Sequence, residues 1–173
     1  MKAQRFLCAL LMSMLIACWP GNAWATVTQT VTAGFNEGQE QHVTVNDNVN
    51  VSNQINAVFV EAHAPDEAED KTASAKVNGN VTLTNEGDMS VVYVEGRNGD
   101  ASANITGDIS GTSDGTVNGI ETWGHSYNGS GDVYVTAGGN VSAESTLSDA
   151  SGITSDYASV NVTEDVTAKG KYV

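Results

Sequence analysis

The chain has 173 residues, with 7 basic against 21 acidic side chains and a formal net charge of −14. Nucleic acid is excluded as a partner because phosphate binding needs a basic surface, and adsorption to anionic lipid is disfavoured for the same reason. The abundance of Gly, Ser, Thr and Asn is compatible with disorder, but the regularly spaced Val and Ile residues argue for a packed chain.

Residues 1–25 read as an export signal. Lys2 and Arg5 give a positive start, Phe6 to Ala17 is an apolar run, Pro20 interrupts it, and Ala23-Trp24-Ala25 is a small-x-small site with cleavage after Ala25. The apolar run is too short to span a bilayer, so no membrane insertion of the mature chain is expected. Leu15-Ile16-Ala17-Cys18 offers a competing cut, a bacterial lipobox with Cys18 as a lipidated anchor. Trp19-Pro20 is an awkward start for such a tether, and the Ala-x-Ala site is preferred. Cleavage at Ala25 removes both cysteines and leaves about 148 residues with 5 basic and 21 acidic groups, a net charge near −16. The expected location is extracellular or the bacterial cell surface, with the periplasm as a further compartment. Without disulfides, stability must come from a core or from stacked repeats.

Thr26 to Ala33 alternates Val27 and Val31 with polar residues, and 26–42 is expected to supply an N-terminal capping strand. The chain from 43 to 173 then repeats one figure: two β-branched strands joined by a short polar turn. Its turns end at Asn48, Asn80, Asp108, Asn140 and Asp165, and the anchors Val45, Val77, Ile105, Val135 and Val162 are spaced by 32, 28, 30 and 27 residues. A period of that size signals a solenoid. A second figure, Ala57-Val58-Phe59-Val60, Val91-Val92-Tyr93-Val94, Gly119-Ile120-Glu121-Thr122 and Gly152-Ile153-Thr154-Ser155, adds a third strand per unit. The units run over about 43–72, 73–100, 101–130, 131–157 and a partial 158–173. No helical period occurs after the signal. The predicted class is all-β, a right-handed parallel β-helix of four to five coils with three short strands each. Stacked at ~4.8 Å, the coils make a rod roughly 20 to 24 Å long. An antiparallel sandwich of hairpins is the alternative, but it would not require equivalent positions to recur so closely.

The Val-x-Gly-Asn/Asp-Val figure followed by Gly-Ile or Ala-Val resembles the repeats of bacterial autotransporter and adhesin passengers with a pectin-lyase-like β-helix, over residues 43 to 173. The resemblance implies a non-enzymatic surface or secreted module that binds glycans or proteins. Such passengers normally continue into a membrane β-barrel, whereas this sequence stops at Lys171-Tyr172-Val173, inside its fifth unit. Either a truncated passenger or a small stand-alone relative fits. An open last coil would expose unpaired backbone groups, and self-association through open ends is therefore a further expectation.

The turn column Asn48, Asn80, Asp108, Asn140 and Asp165 is expected to form a structural ladder in which no two aspartates are neighbours. A calcium column would want clustered carboxylates, and the Gly-Gly-x-Gly-x-Asp repeat of calcium-binding solenoids is absent, so no metal is expected. The binding candidates are Phe59 with Glu61, Tyr93 with Glu95, and Glu121 with Trp123. Aromatic rings beside carboxylates suit sugars, which stack on the ring and offer hydroxyls to the acid. Two placements stay open for Phe59 and Tyr93: outward as a strip, or inward as stacked core. The loops after these strands vary, with an acidic run in Ala62 to Lys71 and His125 and Tyr127 in Gly124 to Gly131.

No catalytic residues, and no cofactor, are expected. Arg97 is the only arginine after the signal, and His42, His63 and His125 fall in three different units, without Ser-His-Asp or His-x-x-x-His spacing. Of the six N-x-S/T sequons, most are by-products of Asn preceding a Val-Thr or Val-Ser strand. The second hypothesis is a carbohydrate-active β-helix enzyme or its inactive remnant, using Glu61 and Glu95. The third is a self-assembling surface filament.

Overall fold

The structure, a computed structural model, describes residues 26–34, 41–63, 72–97, 99–125 and 132–171. The signal segment with Cys18 and Ala25, most of the acidic run in Ala62 to Lys71, and Tyr127 lie outside the described residues. Every element named among the described residues is a strand. The chain winds through β1 (Val31–Gly34), β2 (His42–Val45) and β3 (Val49–Ser52), then β4 (Asn56–His63), β5 (Thr72–Val77) and β6 (Val81–Thr84). It continues through β7 (Met89–Arg97), β8 (Asp100–Ile105) and β9 (Ile109–Ser113), then β10 (Val117–His125), β11 (Val133–Ala137) and β12 (Val141–Ser145). β13 (Ala150–Asp156), β14 (Ser159–Val162) and β15 (Val166–Lys169) close the series.

Every third strand pairs in parallel, giving three five-stranded sheets ordered β1-β4-β7-β10-β13, β2-β5-β8-β11-β14 and β3-β6-β9-β12-β15. This is a β-solenoid with one strand of each turn in each sheet. Three turns, β4–β6, β7–β9 and β10–β12, are paired on both sides. The expected count of four to five coils is therefore too high for complete turns, because β1–β3 and β13–β15 are end layers with one paired side. Within 26–42, Val27 bridges Val49, and β1 joins the first sheet as its end strand.

In the turns paired on both sides, the strands form because alternation buries one face. In β5 the inward Ala73, Ala75 and Val77 alternate with Thr72, Ser74 and Lys76. The same inward positions recur in register on β8 as Ala101, Ala103 and Ile105, and on β11 as Val133, Val135 and Ala137. The core is thus made of columns of small and β-branched side chains running along the axis. The first sheet departs from strict alternation, since Ala57 and Val58, and likewise Val91 and Val92, are consecutive buried residues. A bend there turns Val91 across the core toward Gly111, where a Cβ would lie 2.5 Å from the Val91 side chain. One turn further on, register sets Gly119 in step with Val91 and Ala143 opposite Gly111, so the larger side chain is on the other wall.

Asn and Asp side chains tie the corners from turn to turn. At the corner between β5 and β6 and its equivalents, the Oδ1 atoms of Asn48, Asn80, Asp108 and Asn140 each accept the backbone N–H of the next residue in the column. These bonds run from Asn80, Asp108, Asn140 and Asp165, at 2.8, 2.9, 2.8 and 3.2 Å. The ladder runs from side-chain oxygen to backbone amide, so Asn and Asp serve equally as acceptors. Gly107 and Gly139 admit it, because a Cβ at either would overlap the Oδ1 of Asn80 or Asp108. The corner before the first sheet has a second ladder: buried Ser113 and Ser145 donate to the carbonyls of Gly87 and Gly115 at 2.6 and 2.7 Å.

Candidate functional site

The outward face of the β1-β4-β7-β10-β13 sheet carries every binding candidate read from the sequence. Register sets Phe59 opposite Tyr93 and Tyr93 opposite Glu121, and sets Glu61 opposite Glu95 and Glu95 opposite Trp123. Val58 and Val60 are fully buried on the other side of β4, which places Phe59 outward. Of the two placements open for the rings, the structure shows the strip.

The rings are nevertheless half-buried, because they cover each other. Phe59 and Tyr93 stack with centroids 5.5 Å apart and planes 5° from parallel. Each ring occupies one face of its neighbour, the far face of Phe59 looks toward Thr32, and that of Tyr93 looks toward Glu121. The pair therefore offers a ligand ring edges, not a flat platform. The indole of Trp123, 38% exposed, is the large aromatic surface facing solvent on this strip.

The carboxylates beside the rings are engaged. Glu95, only 5% exposed, accepts the Tyr93 hydroxyl at 3.0 Å and the Arg97 Nε. Glu121 accepts the Trp123 indole N–H on Oε1 at 3.0 Å, and on Oε2 the Asn118 amide at 3.0 Å and the Ser90 hydroxyl. Thr154 donates to Asn118 Oδ1 at 3.1 Å and extends the chain to β13. Burial, reinforced by the hydrogen bond to Glu95 and by the charges of Glu95 and Glu121, pushes the Tyr93 phenol well above its ordinary range. The hydrogen bond to Glu95 and then its charge raise the Arg97 guanidinium further.

Beside this strip, at the corner leading into the sheet, is an open depression of about 320 Å³ lined by Ile55, Asp88, Met89, Ser90, Thr116, Asn118 and Glu121. Among the described residues no three His, Cys, Asp or Glu side chains converge on a point that could hold a metal ion. Arg97, Ser90 and Asn118 were not singled out from sequence. Arg97 had a signal, since it continues the outward parity of Tyr93 and Glu95; Ser90 and Asn118 had none, because small polar residues recur throughout this chain. The structure brings together residues that look dispersed in the sequence: His63 lies opposite Arg97, and Arg97 opposite His125. No protein-family profile, curated protein or solved structure matches the chain.

Proposed function

We propose that this chain is an exported, non-enzymatic interaction module of the adhesin-passenger kind, which engages glycans or proteins through the outward face of the β1-β4-β7-β10-β13 sheet. Its coil is right-handed, the hand that parallel crossovers almost always take. The export signal in residues 1–25 supports a role outside the cytoplasm.

The observation that carries the reading is the asymmetry among the three outward faces. The β3-β6-β9-β12-β15 face presents Thr82, Ser110, Ser142 and Thr167 in one column, and the β2-β5-β8-β11-β14 face presents Ser74, Ser102, Tyr134 and Ser159. The stacked rings, the indole, the arginine and the buried carboxylate gather on the first face. Aromatic residues and arginine are the residue types that dominate binding surfaces, and strands hold them more rigidly than loops do. Glu95 and Glu121 are both committed to hydrogen bonds that hold neighbouring side chains, which favours recognition over acid–base chemistry.

Labelled full chain applied to a glycan array and to cultured cells tests the reading. Trp123→Ala is expected to weaken binding about tenfold or more, the cost of removing a central aromatic contact. Tyr134→Ala, on another sheet, is expected to leave binding unchanged. Equal binding by the Trp123 variant and the parent would overturn the assignment of this face.

A further inference from the structure

We infer that the depression beside the strip receives the acetamido group of an N-acetylhexosamine, so that this face selects glycans carrying one. The inference rests on the glycan form of the function proposed above and names its ligand class. Three successive turns build the depression at one corner: Ile55 ahead of β4, Asp88 and Met89 at the start of β7, and Thr116 ahead of β10. The Ser90 N–H donates to the Ile55 carbonyl at 3.0 Å and the Met89 N–H to that of Thr116 at 2.9 Å, so backbone bonds tie the three turns together. A notch in one outward column opens the space. Register aligns Asn56, Ser90 and Asn118, and the buried serine is the small member between two asparagines. The volume of about 320 Å³ lies at the lower end of the range for small-molecule sites, enough for one sugar with its substituent.

The lining complements each part of an acetamido group: its N–H, its carbonyl and its methyl. Asp88 Oδ1 accepts the Thr116 backbone N–H at 2.7 Å, whereas Oδ2 has no bond among the described residues and is left to accept the ligand N–H. The Thr116 hydroxyl is held only by a long 3.4 Å contact with Ser148, so it can turn and donate to the ligand carbonyl. Ile55, 68% exposed, and Met89 supply the apolar contact for the methyl.

Other ligand groups fit less well. An anion is repelled by Asp88 and Glu121. A metal ion wants several carboxylate oxygens, but both oxygens of Glu121 are engaged by Trp123, Asn118 and Ser90. A plain hydroxyl would donate to Asp88 and leave Ile55 and Met89 without an apolar partner. Glu121 also joins the depression to the strip, because Oε2 meets Ser90 and Asn118 while Oε1 holds the Trp123 indole N–H. Trp123 lies two residues along β10 from Glu121, ~7 Å, so the next ring of the same glycan comes within reach of the indole.

The test uses the full chain and oligosaccharides matched except at one group: the β-1,4-linked trimers of N-acetylglucosamine, glucose and glucosamine. Binding is measured in salt that screens the general attraction of an acidic chain for amines. The acetylated trimer is expected to bind about tenfold tighter than the other two. Asp88→Asn keeps an acceptor for the Thr116 N–H but turns the free oxygen into a donor, and is expected to abolish the preference. Ser90→Asn fills the notch with the residue that its column carries on both sides, and is expected to do the same. Equal binding of the acetylated and glucose trimers, both lost in Trp123→Ala, would overturn the acetamido assignment and leave the face assignment standing. Tighter binding of the glucosamine trimer would overturn it in favour of a cation site. A preference that survives both variants in folded protein would overturn it as well. Absence of binding to any glycan would overturn both the acetamido assignment and the glycan form of the proposed function, and cell binding that persists after enzymatic removal of surface glycans would then assign the face to a protein partner.

Discussion

Phe59 and Tyr93 stand opposite each other on β4 and β7, with ring centroids 5.5 Å apart and planes 5° from parallel. Such a pair contributes about 0.5–1.5 kcal/mol beyond the area it buries. Both rings are half-buried, so Phe59→Ala is expected to cost about 1–2 kcal/mol, less than the ~3–5 kcal/mol typical of a fully buried phenylalanine. Urea denaturation measures it; a cost above that of a core phenylalanine would show that the ring packs inward.

Tyr93 makes a prediction for alkaline pH. Its phenol lies above the ordinary range because the neutral form is favoured by burial and by Glu95. In the unfolded chain the phenol ionises near pH 10, and in the folded chain it does not. Stability from this group is thus fully present below about pH 10 and falls as pH rises beyond it, since the unfolded state then loses a proton that the folded state keeps. Absorbance titration at the phenolate band is expected to leave Tyr93 unionised until unfolding, and Tyr93→Phe to remove that contribution.

The corner ladder depends on an oxygen acceptor at each position, whatever its charge. Asn80→Ala leaves the Asp108 N–H without its 2.9 Å acceptor and is expected to cost about 1–2 kcal/mol. Asn80→Asp keeps the acceptor but sets a carboxylate next to that of Asp108, so a smaller loss is expected, one that salt reduces. Denaturation at low and high ionic strength separates the two. Equal losses in both variants, insensitive to salt, would show that the oxygen is not what the column needs.

Sheets and corners were readable in the sequence because every turn of a solenoid repeats the same demands: Val and Ile inward, Asn or Asp at the corner. Val77 and Val81 look like two arms of a hairpin around Asn78-Gly79-Asn80, and only the recurrence of that figure places them on different sheets. The orientation of Phe59 was not readable, because two consecutive inward residues at Ala57-Val58 and Val91-Val92 reset the parity on which a strand's faces are counted. The His63–Arg97–His125 column was hidden by its spacing. Its members are 34 and 28 residues apart, and connections of unequal length bring them into register. The Ser90 hydroxyl on Glu121 was likewise out of reach, since it comes from the neighbouring turn.

Val91 and Gly111 provide the sharpest test of the core. Gly111 is buried on β9, and a Cβ there would come 2.5 Å from Val91 Cγ2, 2.9 Å from Met89 Cε and 3.1 Å from Val117 Cγ1. Met89 is flexible and can yield, but Val91 is β-branched and stiff at χ1, so Gly111→Ala is expected to cost about 1–3 kcal/mol by overpacking. Val91→Ala alone opens a cavity and is expected to cost about 2 kcal/mol. Together the two changes move volume from one wall of the core to the other, as the chain itself does one turn later with Gly119 and Ala143. The double variant should therefore lose at least about 1 kcal/mol less than the sum of the single losses, the coupling expected of side chains in direct contact. Additivity within about 0.5 kcal/mol would mean that Val91 does not fill the space above Gly111, and would remove the exchange of large and small residues as the rule by which this solenoid packs.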